Sequence, residues 1–254
     1  MIGMMKRFID ISVSAVGLLA TAPVLAPAML AIWLQDRHSP LYLAPRVGQS
    51  GRMFRMVKLR SMVVNADRTG VDSTAAHDPR ITPVGRLVRR FKLDEIAQLW
   101  NVLAGDMSLV GPRPNVERET ARYTAVERRL LSVRPGITDI SSIVFADLGD
   151  ILKNSADPNL DYNRLVRPWK SRLGIFYIDN GSIALDFALI ALTGIAIASR
   201  PLALALVARL LEAIGAPEDL CRVARRAESL TPCPPPGSDR VVSAAEIGLP
   251  ATGL

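Results

Sequence analysis

Phe8-Ile9-Asp10-Ile11-Ser12-Val13-Ser14-Ala15-Val16-Gly17-Leu18-Leu19-Ala20-Thr21-Ala22-Pro23-Val24-Leu25-Ala26-Pro27-Ala28-Met29-Leu30-Ala31-Ile32-Trp33-Leu34 is nearly all apolar, interrupted by one charge and two prolines. As a straight helix it would extend about 40 Å, enough to cross a bilayer. Three structures compete for it. The basic start at Lys6 and Arg7 suits a cleaved signal peptide, but Asp10 sits inside the apolar region and Pro23 follows the best small-residue cleavage site, Thr21-Ala22. A straight span is opposed by Pro23 and Pro27, each of which removes a backbone donor and bends a helix. The flanks then decide. Lys6 and Arg7 precede the run, and Arg37, Arg46, Arg52, Arg55, Lys58 and Arg60 follow it, so both ends carry the cytoplasmic signal. A helix that enters, breaks at Pro23 and Pro27 and leaves by the same face satisfies both observations. The sequence therefore predicts a re-entrant membrane helix over residues 1–36.

Working outward, the 254-residue chain is 49% hydrophobic with only 5% aromatic residues, which excludes wholesale disorder. A net charge of +7 calls for an anionic partner, and a membrane accounts for the charge and the apolar N-terminus together. Nucleic acid is disfavoured by the scarcity of aromatics and the lack of a reading motif. Cys221 and Cys233 have neither metal-ligand spacing nor the numbers for a disulfide framework, in keeping with a reduced, cytosol-facing protein. His38 and His77 are too few and too far apart for a histidine metal site.

Residues 40–62 read as a β-hairpin turning at Gly48-Gln49-Ser50-Gly51, and residues 65–82 as a polar surface loop. Leu87, Phe91, Ile96, Leu99, Trp100 and Leu103 give residues 85–103 helical periodicity. A second helix is predicted from Asn115, as its cap, to about Val133, where Arg134-Pro135-Gly136 stops it. Residues 183–200 are apolar apart from Asp186, and are expected to lie along a membrane surface or pack on the core. From residue 201 an extension begins, a helix followed by a flexible tail with the linker-like Thr231-Pro232-Cys233-Pro234-Pro235-Pro236-Gly237. The fold class is thus mainly α with a small β-hairpin, divided into residues 1–36, 37–200 and 201–254.

Two stretches carry chemistry. In Arg89-Arg90-Phe91-Lys92-Leu93-Asp94-Glu95, adjacent carboxylates follow three cations, a pattern suited to acids held ionised beside a phosphate. An ionised aspartate can attack phosphorus, and carboxylates beside a pyrophosphate recruit Mg²⁺. The plainer alternative is two acids favoured in the first turn of a helix. In Gly111-Pro112-Arg113-Pro114, Pro112 and Pro114 fix the backbone around one arginine, which suits bidentate contact with phosphate, or else a simple turn. Arg46, Lys58 and Arg60 flank the hairpin as candidate donor-phosphate ligands or as headgroup contacts. Asp106 and Ser108 are read as caps of the proline turn, and Asp10 as an interfacial partner of Arg7.

The order of these elements resembles the bacterial sugar transferases, the monotopic phosphoglycosyl transferases, over residues 5–185. Basic start, proline-broken helix, Arg46-Val47-Gly48, Lys58-Leu59-Arg60-Ser61-Met62, Leu93-Asp94-Glu95 with Gln98-Leu99-Trp100-Asn101, Gly105 to Pro114 and Arg134-Pro135-Gly136-Ile137-Thr138 follow in that succession. The resemblance implies a cytosolic catalytic domain held at the inner leaflet by the re-entrant hairpin and interfacial helices. It implies Asp94 as nucleophile toward a UDP-sugar, with UMP expelled and polyprenyl phosphate as acceptor, in a pathway of exopolysaccharide, capsule or O-antigen type. Glu95 becomes its dyad partner, with Mg²⁺ held by Asp94 and Glu95, and Arg89 and Arg113 lie at donor or carrier phosphates. A homo-oligomer is left open. The chain departs from the family in Ala22-Pro23, where serine often precedes the proline. It departs again in Asp139-Ile140-Ser141-Ser142-Ile143-Val144-Phe145-Ala146, which replaces a Gly-Trp-type stretch and a later arginine, so the sugar is not specified. The rival from another class is a membrane-anchored binding or scaffold protein with an inactive site.

Overall fold

The computed structural model describes residues 2–66 and 78–247. It is mainly helical. Helix α1 (Ile2–Asp36) runs through Pro23 and Pro27 without a gap, in place of the break expected there. Each proline costs the helical ladder one donor, a loss that a bend can absorb. The Thr21 hydroxyl, two residues before Pro23, donates to the Gly17 carbonyl at 2.6 Å, a bond of the kind that bends helices.

Both ends of α1 lie on the same body of the protein. Near the start, Lys6 Nζ donates to Val110 O at 3.0 Å, and at the far end Asp36 receives two bonds from Arg60, at 2.5 and 2.7 Å. Between them Gly17 lies so close that a Cβ would stand 3.0 Å from Leu99 Cδ1. Asp10 is buried and accepts from Ser108 Oγ at 3.1 Å and Leu109 N at 3.0 Å, rather than sitting at an interface with Arg7. The outward face holds exposed Phe8, Val16, Leu19 and Leu30.

Strands β1 (Leu41–Val47) and β2 (Met53–Leu59) form the expected antiparallel hairpin, with Leu41 opposite Leu59 and Val47 opposite Met53. Its turn needs left-handed backbone at Ser50 (φ 57°) and Gly51 (φ 77°). The polar loop predicted over 65–82 falls mostly on residues 67–77, outside the described residues, as does His77.

The helix predicted over residues 85–103 is three pieces: α2 (Pro83–Arg90), α3 (Leu93–Ile96) and α4 (Leu99–Ala104). Thr82 caps α2 by accepting from Gly85 N at 2.9 Å, with Pro83 in the first turn. The interruption is at Lys92, whose φ of 55° ends one helix and re-aims the next. Periodicity is blind to such a break, and it does not mark a buried face either, since Leu87, Phe91 and Trp100 are exposed. At the end of α4 the Arg7 guanidinium donates to Val102 O at 2.5 Å and Leu103 O at 2.9 Å, adding to the 3.2 Å bond that Gly105 N gives Val102 O and favoured by the helix C-terminus.

Strand β3 (Ser108–Val110) pairs in parallel with β4 (Gly136–Thr138), Ser108 opposite Gly136 and Val110 opposite Thr138. The long helix expected between them is instead α5 (Glu117–Thr120) and a 3₁₀ segment, Glu127–Ser132. Asn115 does not cap it, because its amide donates to Tyr123 Oη at 2.6 Å and its carbonyl accepts from Val47 N at 3.0 Å. Helices α6 (Ile140–Val144), α7 (Leu148–Ile151) and α8 (Pro158–Asp161) follow, and a π-helical turn at Tyr162–Val166 leads into α9 (Arg167–Asn180).

Helix α10 (Ile183–Ala198) is the apolar segment, and it buries Leu185, Leu189 and Leu192 in the core. Its one acid, Asp186, turns inward to Lys6 Nζ at 2.5 Å. Helices α11 (Arg200–Ala213) and α12 (Glu218–Arg225) join the same core, since Val207, Leu211 and Leu220 cluster with Val102, Ile140 and Leu173. The proline-rich stretch predicted to be a flexible linker is tied down. Arg172 donates to Pro234 O at 2.9 Å, Thr124 to Pro236 O at 2.5 Å, and Arg164 to Val242 O at 2.7 Å. Prolines lack donors but keep their carbonyls, and Arg172 and Thr124 take up two of these. Helix α13 (Ala244–Ile247) ends the described chain, with Arg122 bonded to Ile247 O at 2.9 Å.

Candidate active site

The break at Lys92 brings Asp94 and Glu95 into the first turn of a new helix. The Gly111-Pro112-Arg113-Pro114 turn comes to meet them from the end of β3. Its path is set by backbone packing: a Cβ on Gly111 would stand 2.6 Å from Arg134 O, and one on Gly136 2.1 Å from Gly111 N. Gly136 N donates to Pro112 O and Gly111 N to Thr138 O, both at 3.0 Å. The two motifs separated in sequence, 111–114 and 134–138, are therefore one structural unit. From it Arg113 reaches Glu95 with Nη2 at 3.0 Å from Oε1, and anchors Nη1 on Ile137 O at 2.5 Å.

The adjacent carboxylates are thereby made unlike. Burial pushes Glu95 upward, but Arg113, Lys92 and Lys58 outweigh it and hold its carboxyl below the usual value. Asp94 has no ion pair or side-chain hydrogen bond to another described residue. Burial raises its pKa, Lys58 and Arg89 pull it back, and the Glu95 charge adds to the rise. Lys58, on β2, is held at about 8 by burial and by the like charge of Arg113, against the pull of Glu95 and Asp94.

The other predicted ligands divide. Arg46 shares one face of the hairpin with Lys58, and its charge is felt by both Lys58 and Arg113. Arg89 is seated by donating Nε to Ser61 Oγ at 2.8 Å, and its charge reaches Asp94. Arg60 is elsewhere. Its guanidinium is taken by Asp36 and by Ser39 O at 2.8 Å, so it locks the hairpin to α1 instead of facing the site. Asp106 and Ser108 are not caps of the proline turn, since Asp106 accepts from Asn101 Nδ2 at 3.3 Å and Ser108 donates to Asp10. Pro23 and Pro27 lie on α1, and no described group of three or more acidic, histidine or cysteine side chains is arranged to hold a metal ion.

Sequence reasoning missed Lys170. It lies on α9, whose Gly174 packs so tightly on Leu130 that a Cβ would stand 2.7 Å from Leu130 Cδ2, with Pro112 in ordinary contact at 3.7 Å, and Arg113 and Asp139 are its charged neighbours. Nothing local marks it out, because only tertiary packing brings α9 to the turn. Lys58, Arg89 and Arg113 thus act on the two carboxylates, and Arg46 and Lys170 add positive charge beside Arg113. Such a site favours a multiply charged anion.

Comparison with known proteins adds relatives to this geometry. Residues 1–200 match the family described as bacterial sugar transferase. The galactosyl transferase CpsE of Streptococcus agalactiae serotype III is 35% identical over 200 residues, covering 74% of this chain and 41% of that protein. The undecaprenyl-phosphate glucose phosphotransferase of Komagataeibacter xylinus is 41% identical over 145 residues, 54% of this chain and 27% of that protein. The exopolysaccharide production protein ExoY of Rhizobium meliloti is 35% identical over 156 residues, 56% of this chain and 69% of that protein. The chain thus spans less than half the length of the first two.

Proposed function

Because the chain belongs to the bacterial sugar transferase family, we propose that it transfers a sugar 1-phosphate from a UDP-sugar to polyprenyl phosphate through a covalent intermediate on Asp94. The observation that carries this is the inequality of the two carboxylates: Glu95 is tied to Arg113, while Asp94 is left open beside Lys58. Neighbouring acids with opposite tuning are what a nucleophile and its supporting partner require.

In the first step an Asp94 oxygen attacks the sugar-linked phosphorus. The bond from that phosphorus to the bridging oxygen breaks, and UMP leaves with the electron pair. In the second step a phosphate oxygen of polyprenyl phosphate attacks the same phosphorus, and the Asp94 carboxylate departs, leaving polyprenyl-diphosphosugar. Both steps pass charge through a site lined by Lys58, Arg89 and Arg113, whose fixed cations lower the barrier by electrostatic stabilisation. Glu95 acts by holding Arg113 in place. Mg²⁺ binding fits a donor set of this kind, since that ion needs only one or two carboxylates when substrate phosphates and water supply the rest. Asp94 and Glu95 would hold it, and when bound it supplies charge neutralisation at the diphosphate.

The membrane arrangement belongs to the same proposal. The ends of α1 both pack on the catalytic body, which suits a segment that enters and leaves by one face, the cytosolic face of the cytoplasmic membrane. Helix α10 presents Ala184, Phe187, Ala191, Gly194 and Ile197 outward with no charge among them, as an interfacial helix would. Residues 37–200 would carry the chemistry, in the initiating step of an exopolysaccharide-type glycan.

The test is to supply full-length protein in nanodiscs with several UDP-sugars, Mg²⁺ and polyprenyl phosphate, and to measure UMP release. A donor labelled at the sugar-linked phosphorus should leave label on the wild-type chain and none on Asp94→Asn, with turnover lost by at least about a thousandfold. Folded protein that releases no UMP from any donor would instead be an anchored binding protein.

A further inference from the structure

Helices α11 and α12 begin where the match to the family, residues 1–200, ends. They pack on one another across the turn at Gly215 (φ 75°) and leave an open groove of about 550 Å³ at their surface. Ala205 and Ala208 line it with side chains small enough to leave room, among the guanidiniums of Arg200, Arg209, Arg225 and Arg226.

Two acids face these four charges. Asp147 pairs with Arg200 at 2.7 Å and with Arg226 at 3.3 Å, one oxygen to each, and Glu212 pairs with Arg225. Arg209 is exposed and makes no hydrogen bond or ion pair with a described residue. The interior supplies no further acceptor: Arg200 Nε and Arg226 Nε and Nη1 are buried without a hydrogen-bond partner among the described residues. Arg226 has the Phe145 ring instead, 5.5 Å from its guanidinium carbon, and it ends α12 at φ 52°, where glycine is usual. Surplus positive charge over small side chains suits a phosphate, which several guanidiniums can share through charge-assisted hydrogen bonds.

The surroundings indicate where that phosphate comes from. The outward stripe of α10 runs through Ala191 and Gly194 to Ile197, which is 69% exposed and stands just before Arg200. On α11, Leu202 is 51% exposed, and Ala205 and Arg209 follow it on the same face. Apolar side chains reaching out beside arginines are what an interfacial segment offers to acyl chains and headgroups.

We propose that the α11–α12 groove binds the headgroup phosphate of an anionic phospholipid and seats the C-terminal helices on the membrane surface that carries α10. The choice of a lipid rests on the membrane arrangement proposed above, whereas the phosphate site stands on the groove itself. Full-length protein would be placed in nanodiscs of phosphatidylcholine, with or without phosphatidylglycerol, and followed by hydrogen–deuterium exchange. Phosphatidylglycerol should slow exchange across residues 200–226 about tenfold, as one charge-assisted hydrogen bond provides, and leave α9 unchanged. Arg209→Gln breaks no hydrogen bond or ion pair among the described residues and should remove most of that protection, and adding Arg225→Gln should remove the rest. Arg222→Gln should keep it, because Arg222 is exposed on α12 but does not line the groove. Equal loss in Arg209→Gln and Arg222→Gln would reduce the effect to diffuse surface charge. No protection by phosphatidylglycerol, or protection that survives the double variant, would overturn the groove as a site. Inorganic phosphate supplied to the phosphatidylcholine discs at the same total concentration should not reproduce the protection. If it does, the groove binds phosphate away from the membrane and the lipid assignment falls. UMP release is scored separately, so protection without turnover would count against the transferase reading and leave the groove standing.

Discussion

Two arginine–glutamate pairs in this protein are chemically alike and serve opposite ends. Arg167 and Glu127 are 5% and 0% exposed, and every acceptor position on Glu127 is used. Arg167 donates to it at 2.5 and 3.1 Å, Ser171 Oγ at 2.7 Å and Thr124 N at 3.0 Å, while Arg167 also holds Asn163 and the Arg122 carbonyl. Arg113 and Glu95 are 24% and 29% exposed and stand beside an unpaired Asp94 and like-charged Lys58, Arg46 and Lys170. The first pair is saturated and has nothing left to offer a ligand. The second is surrounded by unbalanced positive charge, a deficit that an anionic substrate can fill. Buried ion pairs of the first kind are structural joints, and clusters of the second kind are where chemistry is expected.

The contrast can be broken at either end. Arg167→Met orphans a buried glutamate, and should destabilise the protein by about 3–5 kcal/mol, lowering the thermal midpoint by on the order of 10 °C. Adding Glu127→Gln should recover part of that loss. Arg113→Met should do the reverse, cutting kcat/KM about a hundredfold, as expected for one lost charge-stabilising group, while the midpoint barely moves. Equal stability losses in Arg167→Met and Arg113→Met would erase the distinction.

The charge balance around Asp94 gives a smaller but more specific effect. Burial holds Asp94 above 3.8, so a rate that needs its ionised form should fall as pH drops through that raised value. Lys58 titrates at about 8, so a rate that needs its charge should fall again as pH rises through that value. In Lys58→Met the alkaline limb should vanish and the acid limb should move to higher pH, because the lysine charge favours ionised Asp94. An unchanged pH–kcat/KM profile would separate Lys58 from the site. The smallest effect is expected in the C-terminal strap formed by the proline-rich residues 231–237. Gly237 has φ 82° and a Cβ there would stand 2.6 Å from Val126 Cγ2, so Gly237→Ala should loosen the strap by about 1 kcal/mol. Faster proteolysis near residues 231–237 with normal turnover would register it.

Much of this was legible in the residues. The hairpin could be read because turn chemistry is local, and α2 in part, since the helix expected from residue 85 begins at Pro83 behind the Thr82 cap. The pairing of Asp94-Glu95 with Arg113 rested on motif order, and the structure joins Glu95 to Arg113 directly. Other features had no local trace. The helix predicted over residues 115–133 fails because Asn115 and Tyr123 bond each other and Glu127 is drawn into the Arg167 network. Arg60 resembled its neighbours as a surface cation until Asp36 on α1 claimed it. The strap looked mobile by composition, yet Arg172 and Thr124, far away in sequence, donate to its carbonyls.

By itself, then, the sequence determined which segments are apolar, which turns are rigid and which residue types could handle a phosphate, since these follow from side-chain chemistry and from φ limits within a few residues. Tertiary structure alone decided that α1 sits against the body at both ends, that β3 and β4 lock two proline-bearing turns into one, and that Lys170 arrives beside Arg113. The physical reason is that charge and burial act through space: whether a carboxylate is tied or free depends on groups tens of residues away along the chain.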